Sequence, residues 1–191
     1  MIKVASYNMR KGIGLDRRRD PGRVLSVLGE LDADIVALQE ADRRFGTRAS
    51  AIPPHMFEDH SDYVPVDLLD GRPYAIGWHG NALLVRKGVV VEESHALHLP
   101  TLEPRGAVAA TVRVGDTRLR VVGMHLDISG LRRRQQARAI LSHVSRKPVA
   151  RLDRIFASPE LEAVDAGVHQ SALAARASDH LPIWARFKPA D

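Results

Sequence analysis

A mixed α/β layered fold is what this sequence predicts, and three observations predict it. Strand-like stretches outnumber helix-like ones, helices intervene between them at intervals, and the polar residues able to carry chemistry fall at strand ends. A chain of 191 residues can bury one sizeable core, and no linker divides it, so a single domain spanning 1–191 is expected.

Ile2 to Asn8 alternates with period two, as a strand does, and is followed by a glycine-containing loop, Lys11-Gly12-Ile13-Gly14. Asp20 suits a helix cap and Pro21 a first turn. Val24, Leu25, Val27, Leu28 and Leu31 then form one apolar side before Asp32-Ala33-Asp34 ends the helix. The apolar run Ile35 to Leu38 is too short for a helix and reads as a buried strand that delivers Gln39 and Glu40. Ala41 to Gly80 reads as irregular, with a short strand near Tyr74-Ala75-Ile76. Asn81 to Arg86 is a strand, and Val89 to Val91 starts the next. Ala107 to Val114 and Arg118 to Met124 make a hairpin around Gly115-Asp116-Thr117, with His125 and Asp127 just beyond it. Ser129 caps a helix from about Leu131 to Val144, turning Leu131, Ile140, Leu141 and Val144 inward. Leu152 to Ala157 and Ile183 to Phe187 are the last two clear strands.

Composition narrows the function. The longest apolar runs, such as Val89-Val90-Val91, fall far short of a hydrocarbon layer of roughly 30 Å, so no integral membrane insertion is expected. The opening residues alternate like a strand and lack an apolar signal core, which makes the cytoplasm the expected location. Absence of cysteine removes disulfides, thiolate chemistry and cysteine-based zinc sites. The net charge of +5 includes Arg17-Arg18-Arg19 and Arg132-Arg133-Arg134. Such runs favour an anionic partner, although each also suits a solvated face. Aromatic residues are not interleaved with them, so no stacking platform for single strands is visible.

Seven segments occur in a telling order: Ser6-Tyr7-Asn8, Leu38-Gln39-Glu40, Gly80-Asn81-Ala82-Leu83-Leu84, Arg105-Gly106-Ala107, His125-Leu126, Leu152-Asp153-Arg154-Ile155-Phe156 and Ser178-Asp179-His180-Leu181-Pro182. Each alone is weak. Together they resemble the endonuclease/exonuclease/phosphatase superfamily, its small bacterial members above all. The resemblance implies a DNase I-like fold, a four-layer α/β sandwich of two mixed β-sheets flanked by helices.

It also implies hydrolysis of a phosphoester by water. A phosphodiester repels hydroxide, so the reaction needs a cation, donors for developing charge and a positioned water. Oxygen ligands suit Mg2+ or Mn2+. By resemblance, Glu40 and Asp179 are metal ligands, and Asn8 serves both metal and phosphate. His180 donates to the scissile phosphate, and Asp153 holds its ring and favours the protonated form. Asp153 alone also suits a surface pair with Arg154 or Arg151. His125 is a second histidine for the phosphate, and Arg105 and Asn81 support the substrate or the cleft wall, packing and turn roles being open to both. His55, His60, His79, His95, His98, His143 and His169 lack ligand-like spacing and read as surface or loop residues.

One piece of the family pattern is missing. A Gly-Asp-x-Asn motif is expected after Pro148-Val149, but Pro148-Val149-Ala150 runs straight into Arg151-Leu152-Asp153. The lost aspartate orients the attacking water and the lost asparagine holds the phosphate in proteins this chain resembles. Loss of one transition-state donor typically costs about 10²–10³ in rate. Two readings of the gap stay open: the fold lacks one interior strand, or the sequence as given omits residues that the polypeptide contains between Ala150 and Arg151. A second expectation therefore stands beside hydrolysis: an impaired relative that binds nucleic acid or a phospholipid headgroup without turnover.

Substrate choice rests with Arg43 to Gly80 and Leu97 to Pro104. Nothing there separates nucleic acid, a phospholipid headgroup and a small phosphoester. No Gly-x-Ser-x-Gly elbow supports serine hydrolase chemistry.

Overall fold

A computed structural model of the chain describes residues 1–42, 49–68, 74–98, 106–125, 155 and 157–190. Their strands are β1 (Ile2–Asn8), β2 (Ile35–Gln39), β3 (Tyr63–Pro65), β4 (Ala82–Arg86), β5 (Val90–His98), β6 (Gly106–Val114), β7 (Thr117–Met124), β8 (Leu161–Val168) and β9 (Ile183–Pro189). Three helices accompany them: α1 (Pro21–Leu31), α2 (Pro54–His60) and α3 (Ala172–Ala177).

The first unit forms as its sequence dictates. Asp20 Oδ1 accepts from Arg23 N at 3.0 Å and caps α1, and Pro21 opens its first turn. Asp32 ends the helix in a left-handed conformation, φ 47°. Val24, Leu25, Val27, Leu28 and Leu31 are all buried. Crossing over through α1 lets β2 lie parallel to β1, in register from Val4↔Ile35 to Asn8↔Gln39.

Two sheets result. The six-stranded sheet runs β3-β4-β2-β1-β9-β8 and is mixed, since β1 and β2 are parallel and its other pairings antiparallel. The three-stranded sheet runs β5-β6-β7 and is antiparallel. One face of the larger sheet packs Ala5, Tyr7, Val36, Leu38 and Leu84 against α1, Phe57 of α2 and Ala174 and Ala177 of α3. Its other face packs Ile2, Ile35, Ala37, Leu83 and Val85 against Val108, Ala110 and Val112 of β6. Each large apolar side chain so buried is worth about 1.5–3 kcal/mol. Gly123 lets the sheets close up, because a Cβ there would meet Leu83 Cδ2 at 3.0 Å and Ala37 Cβ at 3.3 Å. This is the expected DNase I-like sandwich of two sheets with flanking helices.

The opposite face of β6 carries Ala107 and Ala109, with Leu97, Val122 and Met124 beside them. The helix expected over Leu131 to Val144 lies outside the described residues. β7 is an edge strand among the described residues.

Several expectations need correction. Tyr74-Ala75-Ile76 is not a strand: Tyr74 O accepts from Ser50 N at 2.7 Å, and Ile76 N donates to Asp42 Oδ1 at 3.2 Å, so no ladder takes their backbone groups. The stretch read as irregular contains α2 and β3, elements of seven and three residues too short to show a period among its four prolines and three histidines. Of Leu152 to Ala157 only Ile155 and Ala157 are described, and neither is in a strand. β8 and α3 were not expected. β8 is an edge strand exposed on both sides, so it carries no apolar alternation, and α3 is six alanine-rich residues.

Candidate active site

Register places most of the candidate residues at one end of the two sheets. β1 and β2 finish there with Asn8 and Gln39, and β4 and β9, antiparallel to them, begin there. Asn81 directly precedes β4, and Asp179-His180 leads into β9. In the smaller sheet β6 begins beside this end and β7 finishes there, with Ala107 opposite Met124 and His125 following. Asn8, Glu40, Asn81, His125, Asp179 and His180 thus converge from five chain segments. Arg105 and Asp153 lie outside the described residues.

Backbone and side-chain bonds fasten these segments to one another. Ser178 Oγ donates to Asn8 O at 2.7 Å and accepts from His180 N at 3.2 Å. Asn8 is buried, and its Oδ1 accepts from Arg10 N at 3.0 Å. Gln39 Nε2 donates to Ser6 Oγ at 3.2 Å. Ala41 N donates to Gly80 O at 2.9 Å, setting the approach to β4 beside Glu40.

Asn81 ties the two sheets together. It is fully buried, and its Nδ2 donates to Gly106 O at 2.8 Å and to Trp78 O at 3.4 Å. Trp78 lies so close to Gly106 that a Cβ there would stand 2.4 Å from Trp78 Cδ1. His79 and His98, read from sequence as surface or loop residues, pack their rings against Trp78 at 4.7 Å and 5.0 Å.

Arg10 and Lys11, which sequence reasoning passed over, are central to the site. They form a 3-10 turn immediately after β1. Lys11 Nζ contacts Glu40 Oε2, and Arg10 Nε lies 3.5 Å from Asp179 Oδ2. Lys11 and Glu40 side chains are 25% and 22% exposed, against 38% and 49% for Arg10 and Asp179, so water screens the first pair less. The available signal was the position of two cations directly behind a strand-end asparagine.

Backbone strain collects at the same place. Arg10, Lys11, Glu40 and His79 have φ of 48°, 57°, 54° and 51°, four of the six positive-φ non-glycine residues among those described. A residue held in that region typically costs about 1–3 kcal/mol, and surrounding bonds must enforce it. Lys11 N donates to Glu40 O at 3.1 Å, and Gly12 N donates to Met9 O at 2.8 Å.

A divalent cation does not fit this arrangement. Mg2+ takes near-octahedral oxygen ligands, among them one or two carboxylates open to it. Glu40 and Asp179 each face a side-chain cation, and Asn8 Oδ1 accepts a backbone N–H. Among the described residues no three His, Asp or Glu side chains gather closely enough to hold a metal. With both carboxylates neutralised, an incoming phosphate meets cations in place of bare negative charge.

The fold agrees with the comparisons. The chain belongs to the Endonuclease/Exonuclease/phosphatase family, whose sequence profile matches residues 5–147. No curated protein sequence matches the chain. Among solved structures, an endonuclease/exonuclease/phosphatase from Beutenbergia cavernae is 17% identical with a TM-score of 0.72, the alignment covering 98% of this chain and 71% of that one. One from Bacteroides vulgatus is 16% identical, TM-score 0.72, with 99% of each chain covered. D. rerio TDP2 complexed with a single-strand DNA product is 16% identical, TM-score 0.65, with 98% of each covered. At such identities the likeness is one of fold. No helix among the described residues is long and apolar enough to cross a membrane.

Proposed function

We propose that this chain binds a phosphoester-bearing anion at the sheet end around Asn8, Glu40 and Asp179, and that its hydrolytic turnover is severely impaired. Supporting groups are the cations Lys11 and Arg10 and the histidines His180 and His125. Asp153 would hold the His180 ring, and Arg105 would add a further cation to the wall. The observation that carries this reading is the direct run of Pro148-Val149-Ala150 into Arg151-Leu152-Asp153. No Gly-Asp-x-Asn stands between them to orient water or hold the phosphate, and the family match ends at residue 147, just before this junction.

Nucleic acid is the first ligand to try, since D. rerio TDP2, similar in fold, binds a single-strand DNA product. A phospholipid headgroup and a small phosphoester share the same chemistry. The test is equilibrium binding of a fluorescein-labelled, 5′-phosphorylated DNA oligonucleotide across a salt series, alongside hydrolysis of bis(p-nitrophenyl) phosphate. Binding should weaken as salt rises, because displaced counterions dominate such affinity, and turnover should stay at the buffer rate. An isotherm indifferent to salt would sink the reading.

A second reading is Mg2+- or Mn2+-dependent phosphoester hydrolysis. Its support is that Asn8, Glu40, Asp179 and His180 keep the family residue types at one sheet end. Rapid Mg2+-dependent turnover, abolished in Glu40→Ala, would establish it over the first.

A further inference from the structure

Two ion pairs at the site go beyond what family membership supplies. We infer that Lys11 and Arg10 occupy the electrostatic role of a metal, so that the site takes a phosphate group without any divalent cation. This rests on the anion-binding reading above and specifies how that anion is held.

The turn is built to present these cations. Asn8 Oδ1 holds Arg10 N at 3.0 Å, and Ile13 N closes onto Arg10 O at 3.0 Å. Lys11 N is fixed on Glu40 O at 3.1 Å, the same residue whose carboxylate its ammonium contacts. Both cations therefore reach the carboxylates from a backbone conformation that side-chain-bearing residues seldom adopt. Nothing in a surface ion pair requires such strain.

The chemistry suits phosphate. An ammonium carries three N–H donors, and its contact with one Glu40 oxygen leaves donors for a ligand oxygen. A guanidinium carries five in a rigid fork, more than the Nε contact of Arg10 with Asp179 at 3.5 Å occupies. Glu40 and Asp179 then act as positioning residues that hold the two cations at the ends of β1 and β2. A divalent ion entering here would have to displace Lys11 from Glu40 and Arg10 from Asp179.

The experiment is isothermal titration of the full chain with inorganic phosphate, once in EDTA and once in MgCl2. Affinities in the two buffers should agree within about twofold. Lys11→Met should weaken phosphate binding in EDTA by about tenfold, the scale of a lost charge-assisted hydrogen bond, and Lys11→Arg should recover most of it. Phosphate bound only in MgCl2 would overturn the inference and leave the anion-binding reading in place. Absence of binding in both buffers, together with salt-indifferent oligonucleotide binding, would remove that reading and the inference with it. The buffer comparison uses the wild-type chain, so it decides the matter even where Lys11→Met fails to fold.

Discussion

Ser178 and Asn8, 170 residues apart, are joined by one hydrogen bond: the buried Ser178 hydroxyl donates to the Asn8 carbonyl at 2.7 Å. The same oxygen accepts from His180 N at 3.2 Å. One side chain thus sets the segment carrying Asp179 and His180 against the end of β1. Ser178→Ala leaves a buried carbonyl and an amide without this partner, so stability should fall by about 1–3 kcal/mol in urea denaturation. Phosphate affinity of the folded variant should fall as well; unaltered affinity would show that this tie does not position the site.

Tyrosines 63 and 7 predict opposite outcomes for the same substitution. Tyr63 Oη accepts from Ala33 N at 2.9 Å and lies 2.9 Å from Ala33 O, satisfying the turn between α1 and β2. Tyr63→Phe strands that buried amide and should cost about 1–3 kcal/mol. Tyr7 is fully buried, and its Oη has no hydrogen-bond partner among the described residues. Burial pushes its phenol well above the ordinary range, so the group stays neutral at any physiological pH. Tyr7→Phe removes an unsatisfied hydroxyl and should be neutral or stabilising by up to about 1 kcal/mol. Paired denaturation curves of the two variants check both.

The Glu30 carboxylate clasps α1 to the start of α3. Its Oε2 accepts from Ser171 Oγ at 2.5 Å and lies 2.9 Å from Nε2 of His169, which reads from sequence as a surface or loop residue and lies in a loop. The Ser171 hydrogen bond first, and His169 second, hold this carboxyl below the ordinary glutamate range. A lowered folded pKa means the contribution is fully present above the unfolded value of about 4.3 and is lost as pH falls through the folded value. Melting temperature should therefore drop with acidification below about pH 4.3, and less steeply in Glu30→Gln. Asp16 and Glu92, also lowered by arginine partners, keep some acid sensitivity in that variant. Identical acid limbs for wild type and variant would refute the clasp.

Gly106 is held to its identity by Trp78. An added Cβ would stand 2.4 Å from Cδ1 and 2.8 Å from Nε1 of the indole, so the ring must move. Gly106→Ala should cost about 1–3 kcal/mol, as overpacking does. It should also shift tryptophan fluorescence, since Trp78 is one of only two tryptophans in the chain.

Much of this architecture is legible in one dimension because its cause is local. Val24, Leu25, Val27, Leu28 and Leu31 repeat at helical spacing, and all five are buried in α1. Ile2 to Asn8 alternates and is β1; Ala107 to Val114 with Arg118 to Met124 is the β6–β7 hairpin. Asn8, Glu40, Asn81, His125 and Asp179 are likewise legible in sequence, because each sits beside a strand whose pattern marks it. β8 escaped because an edge strand exposed on both sides carries no alternation to read, and α2 and α3 because one or two turns make no period.

The partners of those strand-end residues were decided elsewhere. That Lys11 reaches Glu40 follows from the parallel register of β1 and β2, which sets Asn8 beside Gln39. That Ser178 reaches Asn8 follows from β9 running antiparallel along the other side of β1. Residue order by itself determined the family, the helix faces and the missing Gly-Asp-x-Asn. Only the tertiary structure paired each carboxylate with its cation, because such contacts depend on strand pairing between residues distant in the chain, which no local period encodes.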